Sequence, residues 1–264
     1  MTMKATNPIL ILFQSFFRAG LRAKRTRVFI LLALVPVVLM AATRVLEASR
    51  SLAAGSSGDF FAKVMLSLYF QLLIPVLALF FGTSIVNDEL DNKTLVYLTT
   101  VPVPRRQVLL GKYLAAFLLA ALLVAGGFLL CFLAASLTRL GDGAAWEELG
   151  LFLGTSLLAL FCYSTLFTAL GAFMKKSILL GLFFVFGWES VVQYFPGVTQ
   201  KFTIIHWVKS LLPIPPGEGG FLIFQLQPSP ALESVVVLLA AGLLFLYIAV
   251  FIFKRKEYIL SDNA

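Results

Sequence analysis

NDELDNKTLVYLTTVPVPRRQVLLGK, residues 87–112, is a polar interlude in a chain that otherwise reads as a series of apolar helices, and it separates two candidate membrane spans. Three acids, Asp88, Glu89 and Asp91, lead into a short amphipathic run; Pro102 and Pro104 break it; Arg105, Arg106 and Lys112 open the next apolar segment. Asn87 suits an N-cap, and acids in the turn that follows sit where the helix macrodipole favours negative charge. Leu90, Thr94, Leu95 and Leu98 fall at helical spacing, so one face is able to press on a partner or on the lipid surface while the acids face water. The predicted helix, Asp88 to Thr99, stops before Pro102. Pro104 suits a first helical position, and the bases after it anchor the next span at the headgroups.

The rest of the chain sets the environment of this segment. A mean hydropathy of +0.95, with 60% hydrophobic and 13% charged residues, lies far outside the soluble range, where about a quarter of residues are charged. The class is an all-α integral membrane protein. At about 20 residues per span, 264 residues accommodate six spans and their loops as a single domain, 1–264, without an added soluble catalytic domain. The net charge of +8 does not point to nucleic acid, because the bases sit at span ends. Cys131 and Cys162 both lie in apolar segments and suggest neither a disulfide framework nor a thiolate metal site.

Residues 1–27 combine an apolar patch (Ile9, Leu10, Leu12, Phe13, Phe16, Phe17, Leu21) with Arg18, Arg22, Lys24, Arg25 and Arg27, as in an amphipathic helix lying on the inner membrane surface. A signal peptide with Val28 to Ala42 as its apolar region is the rival reading, disfavoured by a long leader that is itself rich in Phe and Leu. The first span is expected from Val28 to Thr43, with Arg44 snorkelling outward, and the second from Val64 to Val86, where Pro75 kinks the helix or is simply tolerated. The third, Tyr113 to Leu137, carries Gly126-Gly127 for close helix contact. An acidic external loop, Arg139 to Glu148, precedes the fourth, which starts near Leu149 with Gly150 and Gly154 in a small-xxx-small arrangement. Lys175-Lys176 form an inside turn, the fifth span runs from Ser177 to Phe195, and the sixth from Ala231 to Phe253. Between these last two, residues 196–230 form an external loop in which Phe202 to Leu212 suits a short helix at the outer interface, ended by Pro213, Pro215, Pro216 and Gly217.

Charge fixes the expected orientation. With both termini inside, fifteen of the 21 bases but only five of the 13 acids fall on the inner side, as the positive-inside rule requires. This puts residues 87–112 in the cytoplasm.

The chain lacks GxxxxGK[ST]: its one Gly-Lys, at 111 and 112, is followed by tyrosine, so no P-loop binds ATP here. HExxH and GxSxG are absent too, and His206 is the single histidine, which leaves a membrane-embedded hydrolase unsupported. Glu189 is the one acid inside an expected span. A carboxylate in apolar surroundings is by default a functional hypothesis, as substrate contact, proton acceptor or partner of a base. The other reading places it about 18 Å along the helix from Ser177, near the outer headgroups, with aromatic neighbours forming an interface belt. His206 beside Trp207 reads as interfacial rather than as a metal ligand, and Glu189, Gln193 and His206 together form a candidate external gate or substrate contact.

The acids followed by Lys93-Thr94-Leu95, then Pro102, Arg105-Arg106 and Leu110-Gly111-Lys112, resemble the cytoplasmic coupling segment of ATP-binding-cassette type-2 transporter permeases. Those proteins commonly show an acidic pair, Gly-Thr-Leu, Pro-x-x-Arg and Gly-Lys in this order; the chain departs at Lys93, where glycine is usual. The resemblance implies a permease subunit of exporter type in the cytoplasmic membrane, with six spans, an N-terminal interfacial helix and a coupling helix between spans two and three. It implies as partners a second permease copy, identical or related, and a separate ATPase subunit that binds ATP and Mg, the chain itself carrying no cofactor and no metal. Asp88, Glu89, Asp91, Thr94, Leu95, Leu98, Pro102 and Arg105 would then make the contacts with that ATPase. A stand-alone secondary transporter or channel, expected to show polar residues deep in several spans or an inverted repeat, and a membrane scaffold anchoring a partner complex are the alternatives.

Overall fold

The computed structural model describes residues 8–50, 65–91, 104–136, 143–174, 176–193, 195, 198–212 and 228–255. Among these residues the regular structure is helical throughout and contains no strand. Helix α1 (Pro8–Arg22) is followed after one residue by α2 (Lys24–Arg50). Helix α3 joins a π-helical stretch, Met65–Leu73, to an α-helical one, Ile74–Asp91. Then come α4 (Arg105–Ser136), α5 (Gly143–Phe173), the short α6 (Ser177–Val192), α7 (Ile204–Leu211) and α8 (Ala231–Arg255).

Five of these are long and apolar enough to cross a membrane: Lys24–Thr43, Met65–Asn87, Arg106–Ala135, Ala145–Phe173 and Ala231–Arg255. Helix α6 is apolar but shorter. At 1.5 Å per residue it reaches about 24 Å, less than the roughly 30 Å of a hydrocarbon core. It ends at Val192 in a turn at Gln193 rather than continuing to Phe195. The fourth span also begins earlier than the charges at 147 and 148 suggest, because α5 already runs from Gly143 and carries Glu147 on an exposed face of its first turns.

Helices α3 and α5 form the centre. Their backbones meet where glycine lets them: a Cβ on Gly82 would lie 2.9 Å from the Ser164 carbonyl oxygen, and one on Gly171 would lie 3.2 Å from the Thr83 Cα. Without a hydrophobic force between helices in lipid, such close approach is a principal source of association. Gly127 on α4 does the same against Tyr69 and Ala33, and the Tyr69 hydroxyl donates to the Ala33 carbonyl at 3.2 Å. Among the described residues Gly126, Gly150 and Gly154 meet nothing within 4 Å, so the small-residue pair of the fourth span makes no close approach to any of them. The switch from π to α geometry in α3 falls directly before Pro75. Its ring would clash with the carbonyl one turn back in a regular helix, and a widened turn relieves that clash.

Helix α1 is amphipathic and lies against α4, where the Lys112 ammonium stands 4.7 Å from the centre of the Phe16 ring; Thr26 of α2 donates to the Gly20 carbonyl at 2.6 Å and fixes the turn between α1 and α2. Helix α8 packs on α5 along one side and exposes Val236, Leu239, Leu243, Leu244 and Phe251 on the other, the pattern of a lipid-facing helix.

Candidate functional site

The structure brings the sequence-predicted residues to two opposite ends. At one, Asp88, Glu89 and Asp91 continue the last turn of α3; no new helix begins there, and Asn87 lies inside α3 instead of capping a successor. The acids therefore lie within a helix that began at Met65, in place of the expected first turn of a new one. The chain keeps helical geometry through Asn87 because Ile85 and Val86 are still packed in a cluster with Leu109, Tyr113, Ala172 and Phe253. Thr94, Leu95, Leu98 and Pro102 lie outside the described residues, and with them most of the expected coupling helix. Arg105 opens α4, directly after Pro104, whose carbonyl accepts from Gln107 at 2.8 Å. Buried Asn87 donates through its side-chain amide to the Ser177 hydroxyl at 2.9 Å, tying this end of α3 to the first residue of α6.

At the other end, Glu189, Gln193 and His206 are gathered around α7. An eight-residue helix has four N–H groups in its first turn with no internal partner. The N-cap Thr203 oxygen accepts from His206 N at 3.3 Å, while the two oxygens of Glu189, reaching over from α6, accept from Ile204 N at 2.9 Å and Ile205 N at 3.2 Å. Glu189 is only 4% exposed, so its carboxylate is turned into the protein and serves as a cap supplied by a different helix. Tyr163 lies on α5, buried, with its hydroxyl near the carboxylate.

The far end of α7 is held by the same helix. Lys209 donates from Nζ to Gln193 Oε1 at 2.7 Å, and Gln71 Nε2 donates to that oxygen at 3.3 Å, so one amide links α6, α7 and the π-helical part of α3. On the opposite side, Ser229, just before α8, pairs with His206 Nε2 at 3.3 Å and donates from its backbone N–H to Ser210 Oγ at 3.2 Å. His206 is 2% exposed and its Nδ1 has no partner among the described residues. Helix α7 is thus packed against the bundle, with Ile205, His206, Trp207 and Val208 buried.

Burial sets the electrostatics of this end. It lowers the Lys209 ammonium from 10.5 to about 8, partly opposed by the charge of Glu189, and it pushes the His206 imidazole below its ordinary value, helped by the positive charge of Lys201. Among the described residues no three His, Cys, Asp or Glu side chains gather into a metal-binding group. The arrangement is a clasp: charge-assisted hydrogen bonds hold a short helix across one end of the bundle.

Sequence reasoning found Glu189, Gln193 and His206 but missed Gln71, Lys209, Thr203 and Ser229. Thr203 before an apolar run is an N-cap signature readable from the chain alone. The others are polar residues whose role depends on which helix they face.

No curated protein matches the chain. A family model described as ABC-2 family transporter protein matches residues 21–188, from the end of α1 almost to Glu189, well over half of the sequence. That range takes in all but one of the five long apolar helices and the whole polar interlude between α3 and α4. The chain is therefore a multi-pass membrane protein that belongs to the ABC-2 transporter permease family.

Proposed function

We propose that the chain is the permease subunit of an ATP-binding-cassette exporter in the cytoplasmic membrane, with six spans counting α6 and both termini inside. It pairs with a second permease copy and with a separate subunit that binds and hydrolyses ATP with Mg. The family match across residues 21–188 carries this reading. The distribution of bases toward the inner ends of the apolar segments supports the orientation.

In this reading the acids at 88, 89 and 91 and Arg105 make charged contacts with the ATPase, Leu95 and Leu98 fill an apolar groove, and Thr94 and Pro102 set the shape of the segment between. The chain contributes no group to phosphate chemistry; it receives a displacement and rearranges its helices. The clasp of Glu189, Gln193 and His206 holds α7 as an outer gate. A stand-alone ion- or proton-coupled transporter is the weaker reading. Glu189 is the one buried acid among the described residues, and both its oxygens are already occupied by the first turn of α7.

The test is purification of the tagged chain from mild detergent with whatever accompanies it. A P-loop ATPase in near-equal amount is expected, and Glu89→Lys is expected to lower its recovery by about tenfold, as reversing a charge at an interface does. Recovery of the chain alone, or unchanged association of the Glu89→Lys variant, overturns the assignment.

A further inference from the structure

Helix α6 carries one polar anchor at each end. Its first residue, Ser177, is fully buried and accepts from the Asn87 amide at 2.9 Å; its buried acid, Glu189, twelve positions on, caps α7. Asn87 immediately precedes the acids at 88, 89 and 91. Its Oδ1 is buried with no partner among the described residues, so the bond to Ser177 is the one that fixes this amide.

The surroundings leave a displacement entering at residues 88–91 few ways to travel. The inner half of α3 is pressed backbone to backbone on α5 at Gly82 and Gly171, where neither neighbour has room to give. Two turns above Asn87, the Leu79 side chain lies against Gly181 of α6, so the inner half of α3 meets α6 by a hydrogen bond at the end and by close packing inside, and the far end of α3 meets it once more where Gln71 donates to Gln193 at 3.3 Å. Between those contacts and the clasp, α6 passes through the π-helical stretch Phe183–Glu189. There Ser190 Oγ donates to the carbonyl five residues back, Val185, at 3.0 Å. Such widened turns are tolerant of a shift in register and recur at functional sites.

We propose that Asn87 and Ser177 are a positioning pair that couples the polar segment to the outer clasp. A displacement of the end of α3 is transferred through this hydrogen bond to α6 and appears about 18 Å away as a movement of Glu189 and the α7 that it caps. The inference rests on the proposal that residues 87–112 dock an ATPase. The transfer is a coupling between two sites and is bounded as such, at about 5- to 150-fold in an equilibrium.

The experiment uses the permease with its ATPase in lipid nanodiscs and a nitroxide on Val198→Cys, which is 71% exposed in the short 3-10 turn just before α7, whereas Cys131 and Cys162 are buried. The spectrum is compared without nucleotide and with ATP and vanadate. The unsubstituted pair is expected to give a nucleotide-dependent change, and Ser177→Ala to reduce it by about fivefold or more while the ATPase still co-purifies in equal amount. Exchange of the partners, Asn87→Ser with Ser177→Asn, is expected to restore the change. Asn87→Leu with Ser177→Ala leaves no buried polar group orphaned, so it keeps the fold and gives the same loss. A full response in Ser177→Ala or in the double variant overturns the inference, as does a complex with bound ATPase whose label never responds. Both of those results leave the ATPase assignment standing. Absence of an ATPase from the unsubstituted complex overturns the assignment and the inference together.

Discussion

Removing the Glu189 carboxylate isolates what the clasp contributes. Its two oxygens accept from Ile204 N at 2.9 Å and Ile205 N at 3.2 Å in a site that excludes water. A hydrogen bond to a charged group contributes about 1.5–3 kcal/mol, and each buried N–H left without a partner costs about 1–3 kcal/mol. Glu189→Gln keeps one acceptor and turns an amide NH2 toward a donor, so one bond is lost and one N–H is orphaned. The desolvation relieved by removing the charge offsets part of this, leaving about 2–3 kcal/mol. At 1.4 kcal/mol per decade, local opening of the first turn of α7 becomes roughly 30- to 140-fold more frequent.

The assay is amide hydrogen exchange by mass spectrometry on the purified chain, followed on peptides covering 203–212. Thr203→Ala serves as a gauge: it removes the one N-cap bond, to His206 N, at a cost of about 1 kcal/mol, hence a rise of about fivefold. Amides of α5, on the other side of Tyr163, are expected to hold their rates to within about threefold, because opening of one short helix is a local event. Two results refute the reasoning. One is exchange at 204 and 205 that Glu189→Gln leaves unchanged; the other is acceleration of the whole bundle in parallel, which would make Glu189 a determinant of global folding instead of a cap.

Two further outcomes follow from the same geometry. The folded protein releases the Lys209 proton at about 8, the unfolded chain at 10.5. Between those values the unfolded state binds more protons, so stability rises with pH by up to about 3 kcal/mol, and thermal melts from pH 7.5 to 10 should show this rise in the natural chain and lose it in Lys209→Met. Gly171→Ala would bring a Cβ to 3.2 Å from the Thr83 backbone, which cannot rotate away, and should cost about 1–3 kcal/mol. Gly150→Ala meets nothing and should gain up to about 1 kcal/mol from helix propensity, a contrast that paired melts of the two variants check directly.

The apolar segments were legible because a run of about 20 residues without charge has few other uses, and the long helices follow those runs. The boundaries were less so. Glu147 and Glu148 look like a loop, yet a helix turn outside the apolar stretch tolerates exposed acids, and α5 includes them. Asn87 followed by three acids is a good N-cap pattern, but a cap forms only where the preceding chain leaves the helix, and nothing before Asn87 ends α3. Gly150 and Gly154 have the spacing of a contact pair and meet no neighbour among the described residues, whereas Gly171, in no such pattern, and Gly82 and Gly181, each four residues after a small side chain, make the close approaches. Spacing along one helix reports which residues share a face; it carries no information on where that face points.

The candidate site shows the same division for a physical reason. Glu189 stood out because a lone acid in an apolar run is costly unless something receives it. What receives it is a pair of backbone N–H groups, at Ile204 and Ile205, that every non-proline residue possesses and no sequence pattern marks. In lipid, where apolar contact discriminates little between a neighbouring helix and an acyl chain, helices are sorted by close backbone approach and by polar bonds of this kind. Helices α3 and α5 are joined by the first; α6 is joined to α3 by the Leu79–Gly181 contact and by the Asn87–Ser177 and Gln71–Gln193 bonds, and to α7 by Glu189 and Gln193. Helix α6 thus meets the bundle both through packed side chains, Phe184 against Phe167 and Gly181 against Leu79, and through polar bonds at each end, and it is those polar bonds that no apolar pattern in the sequence marks.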